Sequence, residues 1–147
     1  MELFDSYPEW RDDIPQRLHG AQCRTGYGAE LQRLTGQTRC AYCGMDLVDT
    51  FDHWLLLTVD HVIPLSTASG KSAKWKPWLA SIHNLVIACS ACNGFANRFR
   101  PEVGGPPQTY DDFRSVRDRV FVCRKRLVCE RRGREHQSYG EKPWVAG

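Results

Sequence analysis

The stretch "ACSACNGF", residues 88–95, sets an asparagine directly behind the second cysteine of a Cys-x-x-Cys pair. A second pair, Cys40-x-x-Cys43, lies in "RCAYCG" (39–44). Tetrahedral zinc needs four N or S ligands, and two facing thiol pairs supply them at about 2.3 Å per Zn–S bond. The 45 residues between the pairs are more than a compact zinc ribbon uses, so a substantial element must lie between the knuckles. Four buried thiols packed as small hydrophobes are the plain alternative, but two pairs at ligand spacing argue for metal. No thioredoxin-like βαβ pattern flanks either pair, which argues against a redox role. A zinc held by four thiolates is coordinatively closed and folds a protein without doing chemistry.

Any chemistry must therefore come from what the zinc holds together. Between the pairs, "WLLLTVDHVIP" (54–64) is a β-prone run stopped by Pro64, and it carries Asp60 and His61 side by side. Strand neighbours point to opposite faces, so joint use requires the strand to end or bend there. A carboxylate is a hard ligand for magnesium or a similar cation. An imidazole is the ready general base at neutral pH. Asn93 is a poor zinc ligand, but its amide carbonyl suits a hard cation beside Asp60. A bare Asp-His dipeptide is commonly a surface or core feature; the combination with Asn93 behind a zinc cysteine gives it weight.

Taken together, Cys40-x-x-Cys43, Asp60-His61-x-x-Pro64, Asn84 and Cys89-x-x-Cys92-Asn93 resemble the HNH endonuclease family, the ββα-metal nucleases. The resemblance covers roughly residues 39–100 and is closest to zinc-stabilised members, including phage junction resolvases. It implies an α+β fold: a ββα-metal core with a four-cysteine zinc site, flanked by helices that include a basic C-terminal one. It also implies roles. His61 would be the general base, and Asn84 would fix the hairpin loop and help to orient it. Asp60 and Asn93 would hold a divalent cation, Mg2+ or Mn2+, with asparagine standing where histidine is common. Cleavage of DNA, most simply double-stranded, would leave 5′-phosphate and 3′-hydroxyl ends. A non-catalytic zinc-stabilised nucleic-acid-binding module is the alternative. The oligomeric state, with a dimer among the options, stays open.

With 147 residues the chain has the size of one domain. Residues 1–38 read as a loosely structured lead-in with a short helix, "GAELQRLTGQ" (28–37), closed by Gly36. Residues 39–100 form the nuclease core, and 101–147 a linker, a basic helix and a tail. The start, "MELFDSYPEWRDD", lacks a basic and an apolar targeting region, and "HWLLLTVDHVIPL" is too short and too charged to span a bilayer. A cytosolic protein is expected, in which seven cysteines point to metal and packing thiols rather than disulfides.

The net charge of +3 hides an asymmetry. Residues 1–97 hold eight Lys/Arg against ten Asp/Glu, and residues 98–147 hold twelve against seven. The basic surplus is C-terminal, as a polyanion-binding region would have it. "SIHNLVIAC" (81–89) predicts a second strand, and "GFANRFR" after Asn93 the start of a helix. Thr109-x-x-Asp112 predicts a capping box on a helix running to Gly133. Its stripe would be Phe113, Val116, Val120, Cys123 and Leu127, with the arginines mostly outside. Candidate nucleic-acid contacts are Arg98, Arg100, Lys71, Lys74, Lys76, Arg124, Lys125 and Arg126. Trp75 and Trp78, in the long loop 65–82, suit either nucleic-acid contact or core packing.

Overall fold

A computed structural model describes residues 4–14, 17–68, 75–97, 100 and 107–142. Lys71, Lys74 and Arg98 lie outside the described residues. The centre is an antiparallel pair, β1 (Leu57–His61) and β2 (Leu85–Cys89), followed directly by helix α4 (Ser90–Ala96). The register pairs Leu57 with Cys89 and His61 with Leu85. Both strands are shorter than the apolar runs that predict them. A short helix, α2 (Phe51–Trp54), turns before β1, another, α3 (Lys76–Leu79), stands between the strands in the chain, and Ile82–Asn84 form a 3-10 turn before β2. α4 also begins earlier than expected, because Cys89 itself caps it, its sulfur accepting from the Cys92 backbone N–H.

β2 is buried along its whole length. Its second edge is covered by the segment 37–41 rather than by a third strand. The Gln37 amide acts there as a substitute peptide: Nε2 donates to the Ile87 carbonyl at 2.9 Å, and Oε1 accepts from the Ile87 N–H at 2.8 Å. Ala41 N–H also donates to the Ile87 carbonyl at 3.0 Å. Before this edge, α1 (Ala29–Thr35) ends at Gly36, whose φ of 72° is the left-handed cap the sequence predicts. A π-helical turn, Arg24–Gly28, leads into it.

The N-terminal segment is not loose. Tyr7, Ile14 and Leu18 are buried in the main core, with Phe4 and Trp10 packed against it. The Tyr7 hydroxyl donates to the carbonyls of Ile82 and Leu85, and Trp10 Nε1 donates to the Leu85 carbonyl at 3.1 Å. A run rich in prolines and acids reads as a linker, but aromatic residues that reach unpaired carbonyls at a strand end make it a strap. Trp75 is buried, and Trp78 packs against Tyr110 and Phe113, so both tryptophans serve the core.

The C-terminal helix, α5 (Tyr110–Gly140), has the expected capping box but passes through Gly133 for a further two turns. Its inner face is Phe113, Arg117, Val120, Phe121, Arg124 and Val128. At 100° per residue this face is rotated by about 70° from the apolar stripe read from sequence. Phe121 and Val128 set this rotation, and two arginines lie within the same face. Arg117 donates to the His83 carbonyl at 2.9 Å, pairs with Glu9 and Asp118, and lies 3.9 Å over the Tyr7 ring. Arg124 is held near β1 through both Nη groups, although its Nε has no partner among the described residues. An arginine whose charge is paired and whose Nη groups are hydrogen-bonded can be buried, and hydropathy alone places it outside.

If the strap is docked as described, Tyr7→Phe removes a buried donor from the Ile82 carbonyl. Urea unfolding should show a loss of about 1–3 kcal/mol. An unchanged midpoint and slope would mean that the strap contributes nothing to the fold.

Candidate active site and zinc site

The sulfurs of Cys40, Cys43, Cys89 and Cys92 all lie within 4.8 Å of one another. Tetrahedral zinc at about 2.3 Å per bond sets sulfurs roughly 3.8 Å apart, and Cys43 Sγ and Cys89 Sγ are 3.9 Å apart. The donor set fits zinc. Gly44, at φ 77°, makes the turn behind the first knuckle, and its N–H donates to the Cys40 carbonyl at 2.9 Å. Hydrogen bonds among the crowded sulfurs push Cys40 and Cys92 up and draw Cys43 and Cys89 down, Cys89 to about 7. The Cys40–Cys43 bond leads for those two, and bonds to Cys40 lead for Cys89 and Cys92. A dication would take the place of the shared protons. The Arg132 guanidinium, 3.9 Å from Cys92 Sγ, offsets the negative charge that four thiolates leave on a zinc.

Tyr42 sits between the two cysteines of the first knuckle and is fully buried. Its ring stacks on Phe121 of α5 at 5.6 Å, and its hydroxyl donates to Asp60 Oδ2. Asp60 is in turn held by Arg124, whose Nη2 lies 2.9 Å from Oδ1 and 3.0 Å from Oδ2. Arg124 Nη1 donates to the carbonyls of His61 and Val62 at 2.8 and 2.6 Å. Burial pushes the Asp60 carboxyl above its usual range, while Arg124 and then Tyr42 pull it down. The expectation that Arg124 faces outward is corrected. At 1% exposure it braces the end of β1 instead of standing on a basic surface.

Asp60 and Thr58 share one face of β1, as the period of two requires. Thr58 Oγ1 donates to the Ala88 carbonyl at 2.8 Å, which leaves that oxygen able only to accept. Asn93 on α4 must therefore turn its NH2 to Thr58, at 3.1 Å, and the amide orientation follows from the network. Asn93 Oδ1 then has no partner among the described residues. It faces a cleft of about 280 Å³ lined by Val59, Asp60, His61, Pro64, Leu65, Asn93, Asn97 and Arg124.

His61 ends β1, which is how it reaches the same cleft as its neighbour Asp60. It is half-buried, and no described residue hydrogen-bonds its ring. Burial, and secondarily the charge of Arg124, hold its imidazole below the usual value, so it is neutral and able to accept a proton at pH 7. A second cleft, of about 310 Å³, opens on the other side of the same histidine toward Gln22, Cys23, Arg24 and Tyr27. Asn84 is fully buried at the other end of the hairpin loop. Its Nδ2 donates to the carbonyls of Ile63 and Leu79 at 3.0 and 2.9 Å, and its Oδ1 accepts from Ile63 N–H at 3.0 Å. The Val62 N–H donates to its backbone carbonyl at 2.9 Å. Both polar atoms of the side-chain amide are thus committed, through three hydrogen bonds, to the loop that follows His61.

Residues 40–98 match the HNH endonuclease family. The matched segment is two-fifths of the chain and holds every cysteine of the cluster together with Asp60, His61, Asn84 and Asn93. No significant match to a curated protein or to a solved structure accompanies it. The HNH segment lacks both helical partners of its own site: Arg124 and Arg132 come from α5, beyond the matched residues. Among the described residues no helix is long and apolar enough to cross a membrane.

The remaining candidates are dispersed. Arg100 and Lys76 are exposed, and so is Arg126. Lys125 is turned toward the N-terminal strap, where Nζ donates to the Phe4 carbonyl and lies 3.7 Å from Asp5. Tyr42 and Thr58 escaped the sequence reading. Thr58 had a signal, since it stands two residues before Asp60 on one strand face. Tyr42 had a weaker one, its place inside a Cys-x-x-Cys.

The zinc reading makes a direct prediction. Purified protein should contain about one zinc per chain by elemental analysis, and Cys89→Ser should melt far below the parent or fail to fold. A metal-free Cys89→Ser protein with the parent's thermal stability would refute it.

Proposed function

We propose that the chain is a metal-dependent endonuclease that hydrolyses DNA phosphodiester bonds at the cleft of Asp60, His61 and Asn93. The observation that supports this best is the shared cleft: a neutral imidazole and an unpartnered amide oxygen stand beside a carboxylate, on a segment of the HNH family. The fit to a divalent cation rests on the donor oxygens. Asn93 Oδ1 has no described partner, and Asp60 Oδ1 accepts only from Arg124, so each keeps a lone pair for a hard ion. Mg2+ or Mn2+ held by these two oxygens would supply Lewis-acid stabilisation of the charge that grows on the phosphate. Arg124 neutralises Asp60, so the pair draws a cation weakly, and the phosphate must complete the binding.

The protein's own part in the reaction falls to His61. Its ring takes a proton from water as the water oxygen bonds to phosphorus. The bond from phosphorus to the 3′ oxygen breaks on the opposite side, and that oxygen takes up a proton from solvent. The products are a 5′-phosphate and a 3′-hydroxyl. Asn84 fixes the loop behind His61, and Arg124 fixes its carbonyl, so the ring is positioned through the backbone at both ends. One observation favours the second reading, a zinc-stabilised nucleic-acid-binding module without catalysis: both Asp60 oxygens already accept hydrogen bonds.

Nicking of supercoiled plasmid separates the two readings. The parent protein should cut with Mg2+ or Mn2+, and His61→Ala should keep its fold while losing about 10²- to 10⁴-fold in rate. Unimpaired cutting by His61→Ala would place the chemistry elsewhere, and retention of DNA with no cutting would favour the binding module.

The pH profile carries a sign. A base works when deprotonated, so the rate should rise with pH through the folded-state pKa of His61 and then level off. Because burial and Arg124 lower that pKa, the half-maximal rate should fall below the ordinary imidazole value of about 6.5. A rate still climbing steeply above pH 7 would contradict the assignment.

A further inference from the structure

A third concave surface lies outside the proposed chemistry. The groove between the end of α4 and the second half of α5, about 250 Å³, is lined by Phe95, Ala96, Arg100, Leu127, Arg131 and Arg134, with Arg124 at its inner wall. Arg124 also walls the cleft of Asp60, His61 and Asn93, so the two depressions lie on either side of one side chain. We propose that this groove carries the sugar-phosphate backbone of the DNA that enters the cleft. The identity of the partner rests on the nuclease reading above.

Three features support the choice. The first is charge: Arg100, Arg131 and Arg134 line the groove, and no carboxylate does so among the described residues. Glu135 is the nearest offset, paired with Arg131 at 2.6 Å one turn along the helix. The second is that the guanidinium groups are already held. Arg131 lies 5.7 Å over the Phe95 ring, and Arg100 donates to the Asn97 carbonyl at 2.9 Å, so less side-chain freedom is lost on binding. The third is free donor capacity at the surface. Arg134 is exposed, and no described residue pairs with it. Planar guanidinium groups suit phosphate oxygens. Such contacts position a strand without reading its sequence.

The groove also relocates the basic surface read from the sequence. Of Arg124, Lys125 and Arg126, the first two are committed inside the fold, and Arg126 points away from the groove. The matched HNH segment ends at residue 98, so Phe95 and Ala96 belong to it while every arginine of this track lies beyond it. The track would extend the footprint of a small ββα unit along α5.

The test uses the full chain carrying His61→Ala, with a short labelled duplex followed by fluorescence anisotropy across a salt series. Far-UV circular dichroism checks the fold, and a gel of the same samples scores cutting. Adding Arg131→Gln and Arg134→Gln should reduce the slope of log K against log salt by about 1.8, at 0.9 per phosphate contact. Affinity should fall alike on unrelated sequences. Arg134→Gln alone, at an exposed position, should remove about half of that slope change, whereas Arg126→Gln should leave slope and affinity as they were. An unchanged slope in the double variant, an equal loss in Arg126→Gln, or a folded protein that does not bind the duplex would each overturn the proposal. Cutting that persists without His61 would show on the gel and would strike the catalytic reading alone.

Discussion

Two five-residue strands and a seven-residue helix make too little structure to stand in water by themselves. What closes them is the meeting of four sulfurs from positions 40, 43, 89 and 92. The cluster pins the first knuckle against β2, and it fixes the first turn of α4 through Cys89 and Cys92. It therefore sets where Asn93, one residue further on, can stand. It also sets Tyr42, which lies between two of the ligands and reaches Asp60. A ligand pair chosen for metal spacing thus becomes a ruler for the cleft.

From Tyr42 the constraint passes to α5. A sheet of two strands leaves one face needing a cover, and α5 supplies it with two buried arginines among its apolar residues. Each guanidinium finds backbone carbonyls at a chain turn: His83 for Arg117, and His61 with Val62 for Arg124. Carbonyls at strand ends lack ladder partners, and a long cationic donor reaches them where a short side chain would not. Such groups specify how the helix sits along the sheet more than they add stability. The same choice has a chemical consequence. Asp60 is neutralised from the helix side, and the cleft keeps only part of its negative field.

The environment of His61 follows from these two constraints together. The imidazole lies at the last position of β1, between a cleft toward α4 and a cleft toward the π-helical turn. Its backbone is tied by Arg124 on one side and by the Asn84 loop on the other, while no described residue hydrogen-bonds its ring. An unpaired, half-buried imidazole next to a guanidinium stays neutral. Rigid backbone and free ring are the arrangement that lets a group exchange a proton without moving its support.

Much of this was legible in the residues themselves. Metal-ligand spacing is local and chemically narrow, so Cys40, Cys43, Cys89 and Cys92 could be paired off from the sequence. The resemblance to HNH nucleases singled out Asp60, His61, Asn84 and Asn93 as candidates, and local residue signals gave the capping box at Thr109 and the helix end at Gly36. The structure alone decided the facing of α5 and the docking of the N-terminal strap. Hydropathy reads arginine as outward and a proline-containing acidic run as loose, because it counts transfer to solvent and not the hydrogen bonds that await a side chain inside. Arg117 and Arg124 are buried because distant carbonyls and Asp60 receive them. Tyr7 and Trp10 are ordered because the Leu85 carbonyl lacks a strand partner. Those partners are separated by dozens of residues, and only the closed chain brings them within reach.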